Sequence, residues 1–357
     1  MTTLSALEKV EGNNHLNHIT YAYPFRAAYT PVLPLPLFKY CELIQSIKNK
    51  KGFRMFTHNP TAFPHPNIPN LYFTNLGSQV FQIVLDNTQN PYTTGKFKNT
   101  LIHPEIYLLS QLMLRHGIIH IPLMEYQRIE HVCEICFADF KVHTSTRAFM
   151  TQINSWNTKL RYCNNSYDRF IKFICAETNK FEVHSLLVQR KLRNSLVSVS
   201  DTTEFLDKSA YEIVREKSNE IIQAVWRMRQ QNGVLGILSR EEMDIEQTSS
   251  IRLIFFVRKD FSDLIPFSET SLSDVLTPYL IDHNLDCISL GTVQTMNSGI
   301  APHFQGQEQN YYDLTQIHAG TRLNILKAQL IVPDYWFRIR DDSCSLIVER
   351  GQTHYER

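Results

Sequence analysis

Apolar positions along the chain switch between two repeat lengths, and the switching is clearest after Ile251. Arg252 to Arg258 reads RLIFFVR, an apolar run with a basic residue at each end, which suits a strand buried on both faces in the middle of a sheet. After a loop of Asp260, Ser262, Asp263 and Pro266, Leu272, Val275, Leu276 and Leu280 recur at three- and four-residue spacing as one helical stripe. Pro278 removes a backbone hydrogen bond there, at a cost of about 3 kcal/mol, and predicts a kink or two short pieces. Strands are expected over Cys287 to Val293 and Asn310 to Ile317. A second stripe, Leu323, Leu326 and Leu330, closes at Pro333, and Trp336 to Arg340 with Ser345 to Glu349 supply a final strand or hairpin.

That order, βαββαβ, resembles the ferredoxin-like split βαβ plan in element order alone. The resemblance implies a fold and not an activity, since such domains host many unrelated functions. It also implies that residues from about 249 onward close a core of their own.

Upstream, Pro31, Pro34 and Pro36, then Pro60, Pro64, Pro66 and Pro69, punctuate a region whose aromatic residues predict ordered loops, among them Phe53, Phe56, Phe63, Tyr72 and Phe73. Phe73 to Leu85 reads as a strand pair turning near Gly77. Pro104 in a first turn, Ile106, Leu109, Leu112 and Met113 on one face, and Gly117 past the end signal a helix, followed by a short strand over Ile118 to Leu123. In the middle, Phe149 to Trp156 and Phe170 to Cys175 are short helices separated by a turn at Asn164, Asn165 and Ser166. Val183 to Val197 reads as a helix. Ser209 to Gln231 is the strongest one, with Ile213, Val214, Ile221, Val225 and Met228 on one side and Gly233 at its end. An acidic stretch of Glu241, Glu242, Asp244 and Glu246 marks a boundary. The expected class is α+β and multidomain: a mixed α/β, aromatic- and Pro-rich domain over 1–148, a mainly helical segment over 149–247, and the ferredoxin-like domain over 248–357.

Composition excludes little. The 357 residues are 43% hydrophobic and 20% charged, ordinary for a folded protein, and a net charge of +1 gives no global field for polyanions. With 12 glycines and no G-x-x-x-x-G-K-[ST] or G-x-S-x-G string, the commonest phosphate-loop and hydrolase arguments are missing. The N-terminus lacks the basic and apolar segments of a signal peptide, and seven scattered cysteines fit reduced thiols. Cytoplasmic synthesis is expected, a route of secretion without a signal being invisible to this argument. Arg115, His116, Gly117, His120 and Pro122 break the most apolar stretch, so no membrane span is expected.

The sharpest chemical set is His131, Cys133, Cys136 and His143, within HVCEICFADFKVH, whose thiolates and imidazoles are the donors zinc prefers. A matching second half is missing. Read as a strand, VCEICFAD places the two cysteines on opposite faces as packed thiols, and no cofactor is expected. His116 and His120 have the i, i+4 spacing of paired ligands, but Gly117 ends the helix between them. His18 in HITY has no convincing partner. Arg190, Lys191, Arg193, Arg227 and Arg229 form a nucleic-acid patch if they share a face.

The expectation is a multidomain binding or regulatory protein acting through protein contacts, with Ile213, Ile221, Val225 and Met228 as the partner surface. The alternatives are an enzyme with a Cys/His site in the N-terminal half and a nucleic-acid-associated factor.

Overall fold

The computed structural model describes residues 37–49, 52–60, 62–87, 101–122, 124–190, 208–243, 249–258, 275–276, 278–279, 285–292, 311–338 and 346–351. These contain both helices and sheets, as an α+β class requires. Contacts divide the chain into two units, one of Phe25–Thr158 with Tyr335–Phe337, the other mainly of Lys159–Asp334 with Arg338–Arg357. His18, Lys191, Arg193, Asp244, Glu246, Leu272 and Leu280 lie outside the described residues.

The first unit is mainly helical. Its elements are α1 (Leu37–Asn49), β1 (Phe56–Thr57), β2 (Phe63–Pro64), β3 (Tyr72–Phe73), α2 (Asn75–Asn87), β4 (Leu101–Ile102), α3 (Pro104–Arg115) and α4 (Tyr126–Thr144). The stretch expected to be a strand pair about Gly77 is instead α2, because Leu76, Val80 and Ile83 recur at helical spacing and are all buried. Thr74 caps it, its hydroxyl accepting from the Gly77 N–H at 3.1 Å. Gly77 is needed for close approach rather than for a turn, since an added Cβ would stand 2.0 Å from the Met55 carbonyl oxygen. Pro104 and Gly117 act as expected: Pro104 opens α3 and Gly117, at φ 67°, lies past its end. Ile118–His120 is a short 3-10 turn, not a strand. The cysteine-bearing stretch is α4, not a strand, with Ile129, Cys133, Cys136, Phe137 and Phe140 forming its buried face.

The division between units falls inside α5 (Arg147–Glu177), one continuous helix where two short ones and a turn were expected. Polar Asn164 and Asn165 sit on its outer side, while Leu160, Cys163, Tyr167, Phe170 and Ile174 continue a buried stripe through them.

The second unit is built on a six-stranded sheet. Its elements are β5 (Lys180–Arg190), α6 (Lys208–Arg227), α7 (Arg229–Asn232), β6 (Val234–Met243), β7 (Ser249–Arg258), β8 (Leu285–Thr292), β9 (Tyr311–Asp313), α8 (Ala319–Ile331), α9 (Pro333–Trp336), β10 (Phe337–Arg338) and β11 (Leu346–Arg350). α9 and β10 run across the unit division, Tyr335–Phe337 belonging to the first unit, where β10 pairs with β4. The sheet order is β11-β6-β7-β5-β8, every pairing antiparallel, with β9 also on β5. β5 therefore runs parallel to β6 with β7 between them, and α6 makes the crossover. In the same way β7 runs parallel to β8 with β5 between them. The β7–β8 connection holds helical residues at Val275–Leu276 and Pro278–Tyr279.

β5 is the segment expected to be a helix. Phe181 to Val188 are all buried, Glu182, His184 and Ser185 included, so the run has no one-sided apolar period, a feature that enclosed strands and buried helices share. Strand neighbours on both edges decide the matter. One face carries Leu186, Val188, Ile237, Ile251, Leu253, Phe255 and Val257 against Val214, Ile221 and Val225 of α6, with Leu276 in the same cluster. On the other, Phe170 of α5 meets Phe256 edge-on at 5.0 Å. An added Cβ at Gly236 would stand 2.6 Å from the Phe170 ring.

The boundary expected near residue 248 lies between β6 and β7, which pair from Val234↔Val257 to Met243↔Ser249. A fragment beginning at Ser249 lacks β5 and β6, the two neighbours of β7, and should show no cooperative unfolding transition. A sigmoidal transition in that fragment would mean that its strands can pair without them. Gly236→Ala should destabilise the full chain by about 1–3 kcal/mol through overpacking against Phe170, measurable by denaturant titration.

Candidate functional site

α4 is the helix on which most of the candidate chemistry falls, and its rotation separates that chemistry. Cys133 and Cys136 are wholly buried on one face beside Phe137 and Phe140. His131 stands exposed on the opposite side. His143 is exposed seven residues beyond Cys136, about 10 Å along the axis, too far to share an ion with it. The four do not converge, and among the described residues no group of three or more His, Cys, Asp and Glu side chains is placed to hold a metal. Burial, then Asp139, raises the Cys136 thiol to about 12, and burial pushes Cys133 higher still. Neither is a ready thiolate. Cys163, on α5, is disulfide-bonded, in contrast to the reduced thiols expected throughout. His116 follows the end of α3 and pairs with Asp139 of α4 at 2.9 Å, while His120 is exposed.

The expected partner surface on α6 divides in two. Ile221 and Val225 are core residues at 0% exposure, whereas Ile213 and Met228 are 41% and 39% exposed. Those two are roughly 22 Å apart along the helical rise and form no single patch. The basic patch divides as well. Arg227 and Arg229 precede Gly233, whose carbonyl accepts from Arg258 N–H at 3.0 Å, and Arg258 pairs with Phe181 at one end of β5. Arg190 is at the other end of β5, about 30 Å of strand away.

Two buried polar networks join residues far apart in the chain and leave no local sequence signal. In the second unit Arg252 makes a two-pronged bond to Glu242, Nε to Oε1 at 2.9 Å and Nη2 to Oε2 at 3.0 Å. Arg240, opposite Arg252 on β6, donates to Asp334 at 2.9 Å and to the Leu330 carbonyl. The four side chains are at most 7% exposed, and their two positive and two negative charges cancel. Glu241 and Glu242 of the expected acidic stretch are buried. On the α6 face, His184 pairs with Glu182 at 3.0 Å, and Arg215 with Glu349 at 3.0 Å.

In the first unit, His103 is fully buried and stacks on Tyr335 at 5.2 Å. Its Nδ1 accepts from the Glu105 N–H, and Trp156 Nε1 donates to the Tyr335 carbonyl at 3.0 Å. Glu105, 3% exposed, pairs with Lys48. Burial, then Cys41 and Glu105, raises the Tyr335 phenol. These contacts tie α1, α3 and the Tyr335 segment together.

The outer side of α4 is different in kind. His131, Ile135, Ala138 and Val142 recur at spacings of four, three and four, the interval of a coiled-coil seam. All four are exposed, Ile135 at 43% and Val142 at 65%. A strand reading of VCEICFAD hid this seam, which helical spacing alone would have found. Comparison with known proteins finds no matching family model, no matching curated protein and no matching solved structure.

Removing one partner from the buried charge chain leaves the other uncompensated, so Glu242→Ala should cost about 3–5 kcal/mol, whereas replacing Glu242 and Arg252 together by apolar residues should cost far less. A double loss equal to the sum of the Glu242→Ala and Arg252→Ala single losses would show that the pair is not coupled. The buried thiols and phenols set an alkaline limit. Burial raises Cys136 from 9.0 to about 12, so the stability it contributes is full below pH 9 and falls as pH climbs through that window, where the unfolded chain releases its proton first. Cys136→Ala should flatten the decline in chemical stability between pH 9 and 11.

Proposed function

We propose that the chain is a multidomain binding or regulatory component that acts through protein contacts, with the outer side of α4 as the contacting surface. The observation that carries this reading is the exposed seam of Ile135, Ala138 and Val142 on a helix whose opposite face is already filled by its own core. Apolar residues grouped at one exposed stripe mark interaction surfaces more than scattered ones do. The α6 surface is a weaker candidate because its exposed apolar residues are apart. The buried, protonated state of Cys133 and Cys136 speaks against their serving as nucleophiles in the enzyme alternative, and the separated arginines speak against a single basic patch.

Residues 180–292 form the ferredoxin-like module of this reading, in place of 248–357. Its support is the order β8-β5-β7-β6, the two split crossovers, and the shared core of α6 and Leu276 on one face. No helix among the described residues is long and apolar enough to cross a membrane. Cytoplasmic synthesis and the absence of a bound cofactor remain part of the proposal, the Cys163 disulfide being the observation against a permanently reducing location.

A photo-crosslinking amino acid at Val142 tests the interaction in cells. A discrete adduct is expected there and not from the same group at exposed Glu216 of α6. No adduct at Val142, or the same adducts at both positions, would remove the case for α4.

A further inference from the structure

The seam on α4 fits a second copy of itself. We infer that two chains associate through α4 helices packed antiparallel about a two-fold axis near Ala138, an inference that rests on the interaction role proposed for this helix. The seam spans four positions, His131, Ile135, Ala138 and Val142, all on a side that the chain's own core leaves open. In an antiparallel pair centred there, Ile135 meets Val142 of the other copy twice over, and the small Ala138 at the axis lets the two backbones come close. β-branched residues at one seam position and a small residue at the other suit knobs-into-holes packing.

Charge chooses the direction. Glu134 and Lys141 flank the seam on the same side, seven residues apart, and an antiparallel pairing sets each Glu134 against the other copy's Lys141. A parallel pairing sets Glu134 against Asp139 of the other copy, two carboxylates together. The Lys141 Nζ lies over the Phe53 ring, 4.8 Å from its centre, which holds the ammonium on that side of the seam. The antiparallel arrangement sets Asp139 against Asp139 of the other copy once, where the parallel one makes the Glu134–Asp139 contact twice, and each Asp139 is paired with its own His116 at 2.9 Å. The seam spans about 17 Å of helical rise, so the contact lies at the small end of specific interfaces.

The test is sedimentation of the full-length protein from about 1 to 100 µM, with circular dichroism and thermal melting as checks on folding. A monomer–dimer equilibrium is expected. Val142→Asp should weaken it about tenfold or more without lowering the melting temperature, because the position is exposed. Glu134→Lys should weaken it too, by placing lysine opposite lysine. Mixing Glu134→Lys chains with Lys141→Glu chains should restore it, since both cross-pairs become opposite in charge. A protein that stays monomeric throughout overturns the inference, as does a dimer indifferent to Val142→Asp. Tighter association in Glu134→Lys overturns it in favour of parallel pairing, where the new lysine would face Asp139, and this arm stands even if Lys141→Glu fails to fold. A monomer whose Val142 crosslinks to a different protein ends the self-association while leaving the interaction role of α4 intact, and a monomer without an adduct ends both.

Discussion

The second unit depends on one strand being paired along both edges. β5 takes β7 on one side and shares the other between β8 and β9. These partners are remote in sequence, so the loop-closure entropy of each pairing is met only when the whole sheet forms. Every residue from Phe181 to Val188 is then enclosed, with α6 on one face and Phe170 of α5 contributing to the other. Cutting the chain before β7 removes the centre of the sheet, not a linker.

That enclosure has an electrostatic consequence. Arg252, Glu242, Arg240 and Asp334 lie on the face opposite α6, where water is excluded, and they are tolerable there because each charge has an opposite neighbour. The Arg240 Nε, 4.0 Å from Glu242, is the weakest link, lacking a hydrogen-bond acceptor among the described residues. Such a chain adds little net stability over an apolar replacement. Its effect is selective, because a shifted β6–β7 register would turn an arginine or a glutamate away from its partner.

α4 faces two environments. Its inner side holds two thiols in an apolar setting that keeps them protonated, and its outer side carries a seam that resembles the inner side of a coiled coil. The same rotation that separates His131, Cys133, Cys136 and His143 lines Ile135, Ala138 and Val142 along the outer side.

Local signals were legible where one residue determines a backbone state: Pro104 and Gly117 bound α3, Gly233 ends the helical run after α6, and RLIFFVR is a strand enclosed on both sides. Polar Asn164, Asn165 and Ser166 inside α5 resemble a turn in sequence because local pattern does not show that they lie on the outer side of a helix. The stretch from Val183 resembles a helix in sequence because a run buried on both faces has no period that separates strand from helix. The cysteines of α4 looked like metal ligands because spacing along the chain does not give direction in space. The sequence by itself determined helix ends, apolar stripes and the α+β class, since these follow from steric and periodic rules within a few residues. Only the tertiary structure decided which strands neighbour β5, which arginine meets which carboxylate, and which side of α4 is left open, because those depend on contacts between residues far apart in the chain.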